Sequence, residues 1–81
     1  MYYVYVLKSG KDNKLYIGST SNLKKRLKEH NNGKVESTSY RRPLEIIYYE
    51  AYKEEKTARK REKLLKKGKA NMELRKRLEL D

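Results

Sequence analysis

The chain has 81 residues and a formal charge of +11, with 22 Lys and Arg against 11 Asp and Glu, and its aromatic residues are all tyrosine. That length leaves room for one thin-cored domain spanning 1–81. The absence of cysteine excludes a disulfide framework, a thiolate nucleophile and a thiolate metal site.

The run Tyr2-Tyr3-Val4-Tyr5-Val6-Leu7 is β-branched and aromatic, as strands are. It is too short to cross a bilayer, and no basic segment followed by an apolar signal core opens the chain, so a cytoplasmic protein without a membrane partner is expected. Lys8 to Lys14 holds the Gly, Asp and Asn of a turn, and Leu15 to Ser19 resumes the strand pattern, which predicts an antiparallel hairpin. If Lys8 pairs with Leu15, Tyr5 faces Gly18 and Leu7 faces Tyr16. Tyr3, Tyr5 and Tyr16 then share one face beside a glycine that leaves space, while Val4, Val6, Leu15 and Ile17 form the other.

Ser21 or Asn22 is placed to cap the next helix, and Asn31-Asn32-Gly33 to end it. On that helix Leu23, Arg26, Leu27 and His30 lie within about 100° of one another, and Lys24, Lys25, Lys28 and Glu29 take the outer side. The outer face is already fully charged, so Arg26 and His30 are directed at protein and need an anion or a polar site to satisfy them. Residues 32–43 read as a polar loop, and Leu44 to Tyr52 as a third strand apolar enough to be central or buried on both faces. Helical pattern returns from about Glu54 to Lys67, pauses at Gly68 and resumes from about Asn71 to Leu80, with Asn71 a candidate cap. The order β-β-α-β-α-α predicts an α+β fold, a small three-stranded and mainly antiparallel sheet flanked by three helices.

Basic surplus is spread along the chain: residues 1–52 carry ten basic and five acidic side chains, residues 53–81 twelve and six. A basic surface of this strength fits a phosphate-rich partner, and DNA leads. Lys24, Lys25, Lys28, Lys34, Arg41 and Arg42 are candidate phosphate contacts, with Arg41-Arg42-Pro43 read as a rigid turn holding two guanidinium groups. Glu62 borders the apolar stripe of its helix, either as a surface residue at the stripe's edge or as a carboxylate aimed into a site.

Tyr16-Ile17-Gly18, the helix Asn22 to His30 and the later Arg61-Glu62-Lys63-Leu64-Leu65-Lys66 together resemble the GIY-YIG nuclease domain in its small standalone bacterial form. The resemblance covers nearly the whole chain. It departs at the first motif, where Tyr3-Val4-Tyr5 stands in place of Gly-Ile-Tyr and only the tyrosine is retained. What the resemblance implies is a DNA endonuclease that leaves 3′-hydroxyl and 5′-phosphate ends. Tyr5 would be general base, Tyr16 would position the nucleophile or share the proton, Arg26 would clamp the phosphate, His30 would accept a tyrosine proton or hold its oxygen in place, and Glu62 would hold one Mg²⁺ or Mn²⁺, with Gly18 a structural residue beside the site. A homodimer or a partner protein supplying specificity belongs to the same expectation.

Two other readings stand beside it. One is a nucleic-acid-binding module with this fold and negligible cleavage. The other is a basic adaptor that docks through a terminal stripe of Leu74 and Leu78.

Overall fold

A computed structural model describes residues 1–80. Strand β1 (Tyr2–Ser9) turns into β2 (Leu15–Thr20), helix α1 follows (Leu23–Asn31), then a 3-10 helix (Glu36–Arg41), strand β3 (Leu44–Tyr52), and helices α2 (Glu55–Leu65) and α3 (Gly68–Arg77). The sheet runs β2-β1-β3 with both pairings antiparallel, and the predicted α+β architecture stands.

The hairpin adopts the predicted register, Tyr5 opposite Gly18, Leu7 opposite Tyr16 and Lys8 opposite Leu15. Because side chains alternate across a strand, this register sorts the residues into two cores. Val4, Val6 and Ile17 pack with Ala58 and Leu65 of α2 and Leu74 of α3. Tyr5, Leu7 and Leu44 form the other cluster, covered by Leu23 and Leu27 of α1.

Four expectations are corrected. β3 is an edge strand and β1 is central: β1 is buried at Val4 through Leu7, whereas the apolar look of β3 comes partly from tyrosines that pack sideways onto polar groups. Residues 36–41 form a 3-10 helix where a loop was expected; Ser9 ties it down by donating its Oγ–H to the Arg41 carbonyl at 2.6 Å. Helix α3 begins at Gly68, and Asn71 lies inside it, donating Nδ2–H to the Leu65 carbonyl at 2.8 Å to close the end of α2. Leu74 is buried in the core with Leu78 packed against it, so the terminal stripe faces inward and the adaptor reading loses its surface.

Asn22 caps α1 as predicted, accepting from the Lys25 amide at 3.1 Å. At the other end, the Asn31 side chain exchanges two hydrogen bonds with the Leu44 backbone, at 2.8 and 2.9 Å, fastening α1 to the start of β3. No helix among the described residues is long and apolar enough to cross a membrane.

On the α2 side of the sheet, Glu50 accepts hydrogen bonds from the phenols of Tyr48 and Tyr52 and a bidentate pair from Arg61 at 2.9 and 3.1 Å. Burial works to push the Glu50 carboxyl up, but the Arg61 guanidinium and the two phenols outweigh it and hold it at about 2. A depressed carboxyl stabilises the fold above its unfolded value and ceases to do so as pH falls through the folded one. Acid titration followed by circular dichroism is therefore expected to show a loss of stability between about pH 4.5 and about pH 2 that Glu50→Gln removes.

Candidate active site

On the α1 face, the hairpin register and the inward side of α1 bring four predicted residues together. Tyr5 is 2% exposed and His30 fully buried, with the Tyr5 hydroxyl 2.9 Å from His30 Nε2. The His30 ring meets Tyr5 and Tyr16 edge-on, at centroid separations of 5.7 and 5.0 Å. Arg26 stands near enough to the Tyr5 phenol for its charge to favour the phenolate, and it pairs with Glu29 at 3.2 Å, its side chain 36% exposed.

Gly18 makes this packing feasible. A Cβ there would sit 2.5 Å from Tyr5 Oη, 2.7 Å from Tyr5 Cζ and 3.2 Å from Tyr16 Cε2. The space beside the glycine is therefore taken up by the phenol itself.

The proton inventory follows from the partners. His30 Nδ1 lies 2.7 Å from Thr38 Oγ1, and the Thr38 hydroxyl has the Val35 carbonyl at 3.4 Å as its own acceptor. In the tautomer with the proton on Nδ1, Nδ1–H donates to Thr38, Thr38 donates to Val35, and Nε2 is left as an acceptor for the Tyr5 O–H; the opposite tautomer reverses the direction of both bonds to the ring. Burial, and then the Arg26 charge, lower the His30 pKa, so the ring is neutral at pH 7. Burial pushes the Tyr5 phenol up, with Arg26 pulling the other way, so the phenol keeps its proton at neutrality and has a buried neutral base to give it to.

Thr38 was missed in the sequence because it lies in a stretch without periodicity. A Ser/Thr cluster eight residues beyond a buried histidine was the only signal.

Glu62 approaches from the other face. It sits on α2 and accepts from Ser19 Oγ at 2.6 Å and from Lys66 Nζ at 2.8 Å. Ser19 follows Gly18 on β2, and β2 is an edge strand, so this carboxylate lies around the edge from the phenols. The Glu62 charge is the smallest of the influences on the Tyr5 phenol, after burial, Arg26 and Tyr16. Tyr16 and Lys66 border one groove of about 490 Å³, with Lys14 and Asn71 on its walls. A larger groove, about 590 Å³, runs between Leu27 and Ile46 at the far end of the sheet and holds none of the predicted catalytic residues. Burial works against ionisation of Glu62, but the Lys66 and Ser19 hydrogen bonds outweigh it and hold the carboxyl below its usual value.

No group of three or more His, Cys, Asp or Glu among the described residues is arranged as a metal cage. A single ionised carboxylate, 21% exposed and already drawing a cation to Oε2, does suit Mg²⁺, which keeps several waters and takes one or two carboxylates plus substrate phosphate. The Lys66 ammonium is the cation this carboxylate holds; as an i,i+4 pair with half of the lysine side chain exposed it is worth only about 0.3–0.5 kcal/mol.

Of the predicted phosphate contacts, Lys24, Lys25, Lys28 and Lys34 are exposed. Arg41 is not free in the same way: it pairs with Asp12 at 3.3 Å and reaches the Leu15 carbonyl at 3.4 Å. Arg42 donates to the Ser39 carbonyl at 2.6 Å and packs beside Gly33. Both guanidinium groups thus make contacts that fasten the 3-10 helix, and Arg42 remains exposed.

A family model described as the GIY-YIG catalytic domain matches residues 1–77. A UPF0213 protein of Clostridium perfringens is 44% identical over 75 residues, covering 91% of this chain and 80% of its own length. UPF0213 proteins of Streptococcus pyogenes serotypes M5 and M28 are each 46% identical over 68 residues, covering 83% of this chain and 73% of theirs. No solved structure matches.

Proposed function

Since the chain belongs to the GIY-YIG catalytic-domain family, a nuclease family, we propose that it is a divalent-metal-dependent DNA endonuclease in which Tyr5 and His30 act as a proton relay. The observation that carries this reading is the Tyr5 hydroxyl, buried 2.9 Å from a ring nitrogen of the buried His30 and within the influence of the Arg26 charge. A phenol placed only for packing has no need of both.

The step is water attack on phosphorus with cleavage of the P–O3′ bond. Tyr5 Oη takes a proton from the water while its own proton passes to His30 Nε2, so no free phenolate is required. Thr38 holds the ring in the accepting tautomer. Tyr16, packed on His30, positions the attacking water, and Arg26 exchanges Glu29 for two non-bridging phosphate oxygens, a match for its planar fork. Glu62 is the residue that would hold Mg²⁺ or Mn²⁺, with Ser19 fixing the other carboxylate oxygen; the ion, when bound, neutralises charge on the phosphate and on the departing O3′. O3′ then takes a proton from solvent, giving 3′-hydroxyl and 5′-phosphate ends. Lys24, Lys25 and Lys28 supply salt-sensitive contacts to the backbone.

The second reading, DNA binding without cleavage, draws on the Lys66–Glu62 ion pair, which fills the cation's place. Incubating the protein with duplex, branched and single-stranded DNA in Mg²⁺, Mn²⁺ or EDTA separates the two. Cleavage in either metal and none in EDTA is expected. Binding that weakens with salt, without cleavage in any metal, would establish the second reading instead.

A further inference from the structure

We propose that Tyr3 and Tyr49 form a stacking subsite for one unpaired nucleobase of the DNA strand that Tyr5 acts on, a proposal that rests on the reading of this face as a nucleic-acid site. Their rings meet edge-to-face at a centroid separation of 6.0 Å. With Leu23, Lys24 and Asn22 they line a groove of about 350 Å³. Neither ring belongs to the two apolar clusters, and Tyr49 is 56% exposed. Two adjacent tyrosines that do no core packing stand out on a surface this charged, and their placement is informative. Tyr49 is the register partner of Tyr5, and Tyr3 precedes Tyr5 by two residues on the same face, about 7 Å along the strand. The groove thus lies on the face of the sheet that carries Tyr5, against the start of the basic helix α1.

The occupant follows from shape and charge. Aromatic side chains beside cations are how proteins hold bases without reading sequence. A base within a duplex has both faces covered by its neighbours, so the ring that enters here must be unpaired or extruded. Lys24 supplies the contact to its phosphate. Tyr3 occupies the position where the family's first motif has glycine, so the aromatic character of the subsite is set by this chain's own departure from that motif.

Anisotropy titrations in EDTA test this without any requirement for catalysis. Three labelled DNAs of one sequence are compared: a full duplex, the duplex with one unpaired nucleotide, and the same bulge with its base removed. Wild type is expected to bind the base-containing bulge about tenfold more tightly than the abasic one. Tyr49→Ala and Tyr3→Ala should erase that preference and leave duplex affinity unchanged, while Tyr49→Phe keeps it. Quenching of 2-aminopurine at the unpaired position should accompany binding by wild type. Equal affinity of wild type for the base-containing and abasic bulges overturns the proposal, as does a preference that survives both alanine variants. A protein that cleaves DNA yet shows no base preference refutes this subsite alone. One that prefers the base and never cleaves refutes only the nuclease reading.

Discussion

Tyr5→Phe is expected to lower the single-turnover rate of DNA cleavage by about 10²–10⁴-fold while DNA affinity stays within a few-fold of wild type. The substitution removes one oxygen from a ring that is 2% exposed, so packing is retained and the loss falls on proton transfer. It also strands His30 Nε2, which loses its 2.9 Å partner. Leaving a buried polar group unsatisfied costs about 1–3 kcal/mol, which urea denaturation should register. Wild type should carry a matching pH dependence. Burial and Arg26 hold His30 below its ordinary 6.5, so the relay's acceptor is available at neutrality and is lost only as pH falls beneath that value. The wild-type rate should therefore hold near pH 7 and decline in acid, whereas Tyr5→Phe should show no such descent. Cleavage by Tyr5→Phe at the wild-type rate would remove the phenol from the chemistry.

Gly18→Ala should damage fold and activity together. The added carbon would lie 2.5 Å from Tyr5 Oη and 2.7 Å from Cζ, well inside contact distance. The far end of a mobile side chain could move aside, but this one is buried and hydrogen-bonded to His30. Overpacking of that kind costs about 1–3 kcal/mol. Displacing a reacting group by about 1 Å costs about 10²-fold in rate. The expected result is a lower urea midpoint, together with a cleavage rate at least that far down under conditions where the variant is still folded. A variant with normal stability and normal rate would mean the phenol tolerates the displacement.

The site was legible where a local rule forces geometry. Pairing Lys8 with Leu15 fixes every other pair in the hairpin, and period-two alternation then gathers Tyr3, Tyr5 and Tyr16 beside Gly18. The inward turn of Arg26 and His30 follows from the 3.6-residue period once the lysines have claimed the outer face. What escaped depends on partners distant in sequence. Ser19 reads as an ordinary strand residue until α2 brings Glu62 within 2.6 Å, and Thr38 needs the 3-10 helix, which has no amphipathic signature at this length. The third strand's depth was overestimated because Ile46, Ile47, Tyr48 and Tyr49 look like core, whereas Tyr48 spends its hydroxyl on Glu50 and Tyr49 faces solvent. A register shift between Val6 and Leu7 also breaks the alternation along β3, which no count of apolar residues reveals. The early start of α3 was hidden because Gly68 reads as a stop, and Asn71 as a cap for the helix that contains it.

That phenol and carboxylate serve one reaction from opposite sides of the β2 edge is best tested at the carboxylate. Single-turnover cleavage by Glu62→Gln in Mg²⁺, with DNA affinity measured on the same preparation, is the measurement. The side chain keeps its size and its hydrogen bond with Ser19 but loses the charge that would hold a cation. Cleavage falling to the level of wild type in EDTA, with DNA binding intact, is the predicted result. Glu62→Gln cleaving in Mg²⁺ at the wild-type rate would contradict it.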